Sequence, residues 1–171
     1  HLELKSGQKL LIHGGTGAIG SIAVQIAKHI GAHVAVTTSG GDKAYAKEVG
    51  ADEIIDYETE KFEDKVHDYD AVFDTAGGDV FERSLAVLKR GGKAVSMAAP
   101  ANEERAGELG VTAQTQKTVV TTERLNALTG LVDGGHIKVR IDSTFPLDQA
   151  AEAFKKQESR PRGKVVIKIK D

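Results

Sequence analysis

One short stretch constrains this chain more than any other. Gly15-Thr16-Gly17-Ala18-Ile19-Gly20 is a GxGxxG set between the β-branched run Lys9–His13 and an apolar-rich segment through Ile22, Val24, Ile26, Ala27 and Ile30. A strand that passes at once into a helix needs glycine wherever side chains would collide, and this placement separates a phosphate-binding turn from a chance spacing of glycines. Gly15 is expected to permit the tight turn, Gly17 to let the backbone approach a pyrophosphate with no Cβ in the way, and Gly20 to let helix and strand pack closely. The N–H groups of Ala18 and Ile19 then sit at the helix start, where unpaired donors and the positive end of the helix dipole favour phosphate. Gly31 follows as the glycine that ends the helix.

The alternation continues with a strand at His33–Thr38, a helix from about Lys43 to Val49 stopped by Gly50, and a strand at Glu53–Asp56. Ala71–Asp74 reads as a fourth strand and Val80–Leu88 as a helix with Phe81, Leu85 and Leu88 on one face. Gly91-Gly92 turns the chain into a fifth strand, Ala94–Met97, and Val111–Val120 is a sixth strand or edge element. Glu123–Val132 is a helix closed by Gly134-Gly135; an element at Ile137–Ile141, a helix around Leu147–Lys156 and an alternating strand Lys164–Lys170 complete the chain. This order predicts an α/β fold of the Rossmann type, a doubly wound parallel sheet with helices on both faces. One domain over 1–171 is expected, with 142–171 as a C-terminal tail.

Composition excludes several function classes. With 40% hydrophobic and 28% charged residues the chain is too apolar to be disordered. A net charge of -2 argues against a nucleic-acid partner, and no apolar run reaches the roughly 20 residues of a membrane helix. There is no cysteine for a disulfide or a thiolate zinc site, which makes a cytoplasmic setting the default. The first residue is His1 rather than methionine, so a processed chain or a piece of a longer one is expected.

A domain that prefers NAD carries a carboxylate at the end of the second strand, where it accepts hydrogen bonds from the ribose 2'-hydroxyl. Here that strand ends Thr37-Thr38-Ser39. Ser39 can donate to a 2'-phosphate and Lys43 can neutralise it, so NADP(H) is favoured, with Asp42 the one acid that could turn toward the ribose instead.

Beyond the glycines, the runs Leu11–Gly20, Gly50-Ala51-Asp52 before Ile54-Ile55-Asp56-Tyr57, Phe73-Asp74-Thr75-Ala76-Gly77, and Arg162-Gly163-Lys164-Val165-Val166 resemble the zinc-free quinone oxidoreductases of the medium-chain dehydrogenase/reductase superfamily. The resemblance spans nearly the whole chain. It implies that Ser39, Lys43 and Tyr57 surround the adenosine 2'-phosphate, and that Thr75, Ala76, Met97, Ala98 and Ala99 line the nicotinamide and its ribose. It further implies NADPH-dependent hydride transfer to a small electrophile, a quinone or an α,β-unsaturated carbonyl, in a protein with a separate catalytic domain against which 142–171 packs. Homodimerisation is implied too, and residues 111–120 suit it, being rich in threonine and valine with only Lys117 to discourage edge pairing. No catalytic side chain and no metal ligand is assigned.

Two other patterns carry less. Tyr57 and Lys61 fit the YxxxK of single-domain short-chain dehydrogenases, but they follow the third strand rather than lying on a later helix. His29 and His33 have i, i+4 spacing, with Gly31 breaking the helix that would make them converge. The rival from another class is a non-catalytic NADP(H)-binding module or subunit that senses redox state.

Overall fold

Side-chain alternation in the first strand, β1 (Lys9–His13), sets the layers: Leu10 and Ile12 enter one apolar cluster, Leu11 the other, and all three are at most 3% exposed. The computed structural model describes residues 1–159 and 161–170. Its chain divides into two compact units, His1–Ile137 and Lys138–Asp171.

In the first unit β1 is joined by β2 (His33–Thr38), β3 (Glu53–Asp56), β4 (Tyr69–Asp74), β5 (Leu88–Ser96) and β6 (Thr112–Thr115). All pairings are parallel, in the order β3-β2-β1-β4-β5-β6. The Rossmann expectation is met. Helices α1 (Gly20–Ile30) and α2 (Lys43–Glu48) bury Val24, Ala27 and Ala46 in the cluster of Leu10, Ile12, Val34 and Val36. Helices α3 (Val80–Ser84) and α4 (Glu103–Leu109) bury Phe81 and Ala106 on the opposite face with Leu11, Ala35, Val72 and Ala94. The strand order changes sense between β1 and β4, the sheet growing outward to β2 and β3 on one side and to β5 and β6 on the other, which opens a crevice beyond their carboxyl ends, where parallel sheets bind ligands.

Several boundaries differ from the sequence reading. The helix expected over Val80–Leu88 stops at Ser84, whose hydroxyl bonds back to the Val80 carbonyl; a short tight turn, Leu85–Val87, follows. Leu88 then opens β5 opposite Tyr69, and Gly91, at φ 79, takes up a register shift before Lys93 pairs with Ala71. Met97 lies just past this strand. The sixth strand covers only Thr112–Thr115 of the expected Val111–Val120, because its partner β5 ends at Ser96; Gln116 N–H donates the last rung to the Ser96 carbonyl (2.8 Å). Helix α5 (Thr122–Asp133) is capped by the Thr121 hydroxyl and leaves Leu125, Leu128 and Val132 exposed.

In the second unit β7 (Ile141–Pro146), α6 (Ala150–Glu158) and β8 (Lys164–Lys168) form one parallel βαβ unit. The element expected at Ile137–Ile141 is therefore displaced: the strand begins only at Ile141. Among the described residues, no helix is long and apolar enough to cross a membrane.

Candidate functional site

The glycine-rich turn caps the crevice, and each glycine has its own reason. Gly14, not Gly15, takes the left-handed backbone (φ 74), and a Cβ there would lie 2.7 Å from Thr75 Oγ1, so β1 and β4 touch through it. The turn assigned to Gly15 thus belongs to its neighbour. Gly15 is required by close approach to β2, since a Cβ would fall 2.5 Å from Val36 Cβ. Gly20 would bring a Cβ within 2.1 Å of the Gly14 carbonyl oxygen, the helix-to-strand packing expected of it. Gly17 meets only the Gly14 oxygen, at 3.3 Å, and is exposed.

Helix α1 starts at Gly20, with Ile19 at its cap position and no side-chain cap. Among the described residues, no acceptor takes the N–H groups of Ala18 and Ile19, and both residues are exposed. Thr16 Oγ1 bonds Thr38 Oγ1 (2.6 Å), which ties this turn to the end of β2. Together the bare Gly17 and the open donors beside it suit a pyrophosphate.

From the turn, a cleft of about 590 Å³ extends along the ends of β1, β2 and β3; His13, Thr37, Tyr57, Lys61, Phe62, Ala76 and Arg83 are among its walls. Tyr57 is 62% exposed at its edge. Ser39, Lys43 and Asp56 lie nearby, at the β2 and β3 ends. Ser39 Oγ donates to Asp42 Oδ2 (3.2 Å), and Lys43 Nζ pairs with Asp56 Oδ2 (3.1 Å). The Lys43 ammonium is the main reason the Asp56 carboxyl sits below its usual pKa. Sequence reasoning placed Lys43 here but missed Asp56 as its partner, because the two meet only when β3 pairs with β2 and brings Asp56 beside Thr38.

At the β4 and β5 ends, Asp74 organises the backbone. Its Oδ1 accepts from the N–H groups of Ala76 (2.9 Å) and Gly77 (3.0 Å), and its Oδ2 accepts from Ser96 Oγ (2.6 Å). Ser96 Oγ in turn accepts from the N–H groups of Ala98 (3.0 Å) and Ala99 (2.8 Å). Both groups are fully buried, so the Asp74–Ser96 pair fixes the two loops against each other. Thr75 donates its hydroxyl to the His13 carbonyl (2.7 Å), and Ala76 stands exposed beside it. Of the three residues after β5, Ala98 lies against Gly77, whereas Ala99 packs into the core and Met97 lines an apolar groove with Leu2, Leu4, Phe73 and Val95. The structure therefore gathers Thr75, Ala76 and Ala98 and directs the Met97 and Ala99 side chains elsewhere.

His13, which the sequence reading counted only as a strand end, is 1% exposed beneath the turn. The Ser84 hydroxyl donates to the Val80 carbonyl, so its oxygen accepts from His13 Nε2–H (2.7 Å); His13 Nδ1 then accepts from the Thr37 hydroxyl (3.1 Å). Thr37 Oγ1 also accepts from the Gly14 N–H (3.3 Å). A neutral imidazole thus links α3, β2 and the glycine turn, and burial lowers its pKa to about 4. His29 and His33 face different partners: the His29 ring lies tilted against His136 (4.1 Å between ring centres), and His33, half-buried, bonds Glu53 (2.6 Å). Among the described residues, no three His, Asp or Glu side chains are placed to hold a metal.

Comparison with known proteins agrees with this fold. Residues 49–167 match the family model described as zinc-binding dehydrogenase. The chain is 36% identical over 169 residues to 2-methylene-furan-3-one reductase of Solanum lycopersicum, covering 95% of this chain and 40% of that protein. It is 33% identical to the chloroplastic NADPH-dependent alkenal/one oxidoreductase of Arabidopsis thaliana, covering 96% of this chain and 42% of that protein. It thus spans less than half the length of these relatives. The quinone oxidoreductase of Coxiella burnetii superposes with a TM-score of 0.87 at 33% identity, over 99% of this chain and 55% of that one.

Proposed function

Because this chain belongs to the zinc-binding dehydrogenase family, within the medium-chain dehydrogenase/reductase superfamily, we propose that it is the NADP(H)-binding domain of an oxidoreductase that reduces a quinone or an α,β-unsaturated carbonyl. The observation that carries this reading is the glycine turn at the β1/β4 crevice, with Gly17 bare and the Ala18 and Ile19 N–H groups open beside it. The names of the relatives, alkenal/one and quinone oxidoreductases, support the reaction class.

When bound, the reduced nicotinamide supplies the hydride. This chain's part is to hold and orient: Ala18 and Ile19 for the pyrophosphate, Thr16 for the turn, Ser39, Lys43 and Tyr57 for the adenosine 2'-phosphate, and Thr75, Ala76 and Ala98 for the nicotinamide end. No side-chain acid or base is assigned, and zinc independence and a cytoplasmic setting belong to the proposal. Neither a nucleic acid nor a membrane is a partner in it. The test is a fluorescence titration with NADPH and NADH. NADPH is expected to bind more tightly, and Lys43→Ala to weaken it about tenfold while changing NADH little, since the variant loses a charge-assisted bond and leaves the Asp56 carboxylate uncompensated. Equal losses for both dinucleotides would remove Lys43 from the 2'-phosphate site.

The same proposal includes a homodimer built on the β6 edge. This strand closes the sheet on one side, and the Gln116 rung to Ser96 means that alternation turns the Ala113 and Thr115 N–H groups to the open edge. A two-fold axis through that edge would pair two copies antiparallel. Thr115 Oγ1 also bonds Ala99 and Ala101, so Thr115→Val serves as the control that loses the hydroxyl but keeps the N–H. In sedimentation the wild type and Thr115→Val should be dimers and Thr115→Pro a monomer. A monomeric wild type at high concentration ends the dimer proposal.

A further inference from the structure

Building on the NADP(H) reading above, we infer that Glu58 is a specificity residue whose carboxylate competes with the cofactor's 2'-phosphate for the backbone N–H of Gly40. Three donors just beyond the end of β2 are each held by a carboxylate of the chain itself. Ser39 Oγ donates to Asp42 (3.2 Å), Lys43 Nζ pairs with Asp56 (3.1 Å), and Gly40 N–H donates to Glu58 Oε2 (3.3 Å).

These three acids are not equivalent. Asp56 is nearly buried and accepts from the Glu58 N–H (3.1 Å) as well as from Lys43, and it lies so close under Gly40 that a Cβ there would come within 2.7 Å of its Oδ2. It is part of the floor. Asp42 sits three residues from Ser39, in the turn that Ser39 itself opens, and its bond is a local one. Glu58 reaches Gly40 from the loop after β3, is exposed, and holds the N–H by one long bond, so it can swing into solvent at little cost.

The chemistry separates the two forms of the cofactor. A 2'-phosphate seated on Ser39, Gly40 and Lys43 must displace a like charge, whereas a ribose 2'-hydroxyl can donate to that same carboxylate. Glu58 therefore reduces the preference for the phosphorylated cofactor that Ser39 and Lys43 create. A substitution that removes its charge should sharpen that preference without touching the glycine turn.

The experiment titrates the chain, Glu58→Gln and Glu58→Ala with 2',5'-ADP and with 5'-AMP by calorimetry at low and high salt, probing the adenosine end alone. Both variants are expected to bind 2',5'-ADP about three- to tenfold more tightly, with 5'-AMP unchanged or weaker, and the gain should shrink at high salt. Unchanged or weaker 2',5'-ADP binding in both variants overturns the assignment of Glu58, and so does an equal gain for 5'-AMP, which would report steric opening. A wild-type chain that binds neither probe, nor NADPH, overturns the cofactor reading itself.

Discussion

Gly20→Ala is expected to destabilise the first unit strongly, whereas Gly17→Val, three residues away, should leave it folded and unable to bind either dinucleotide. The added methyl at Gly20 would sit 2.1 Å from the Gly14 oxygen, 2.8 Å from the Gly14 carbonyl carbon and 2.9 Å from Gly15 Cα. All three are backbone atoms of the turn that joins β1 to α1, so nothing can rotate aside. Relief requires moving helix and strand apart across the buried contacts of Val24 and Ala27, at a cost of roughly 3 kcal/mol or more. A fall in melting temperature of roughly 10 °C follows for a unit of this size. At Gly17 the one close atom is the Gly14 oxygen, 3.3 Å away, a tight contact that a shift of a few tenths of an ångström in an exposed turn relieves; the backbone φ is not left-handed, and the side chain would project where a pyrophosphate is expected. Thermal unfolding and NADPH titration of both variants check the pair. A stable Gly20→Ala chain would show that the turn is looser than its packing implies, and a Gly17→Val chain that still binds NADPH would place the phosphates elsewhere.

Mild acid should destabilise the same unit through His13. Its folded pKa is lowered to about 4 against an ordinary value of 6.5, because burial disfavours the imidazolium. Between these two values the unfolded chain takes up a proton that the folded chain refuses, so stability is intact above pH 6.5 and declines as the pH falls toward 4. The full difference amounts to about 3 kcal/mol. The carboxylates held below their usual range, Asp52 and Asp70 among them, add their own loss only at lower pH, which leaves the interval from 6.5 to 4.5 to the histidine. Urea unfolding across that interval should show the slope. His13→Asn, whatever its stability at neutral pH, should flatten it; an unchanged slope in the variant would assign the acid sensitivity to another group.

His13 also shows why part of the site could be read from sequence and part could not. The glycine spacing, the strand before it and the helix after it are local, and steric exclusion at Gly14, Gly15 and Gly20 makes that turn nearly the only way to join them. The residue order thereby determined the β1-turn-α1 unit, the alternation that doubles the sheet, and the region where Ser39, Lys43 and Tyr57 gather. Interactions between residues far apart in the chain had no local signature. Lys43 meets Asp56 because β3 pairs with β2; Asp74 meets Ser96 because β5 pairs with β4; His13 meets Ser84 because folding brings the end of α3 to the end of β1. Tertiary pairing also overrode local propensity: the threonine- and valine-rich stretch after Thr115 is not strand because β5 has already ended, and Leu88 leaves its helical face because Tyr69 offers it a place in the sheet. Sequence alone thus determined the backbone turn at which phosphate binding is proposed, while only the folded sheet decided which charges pair near the end of β2, since electrostatic and hydrogen-bond partners depend on distance in space rather than along the chain.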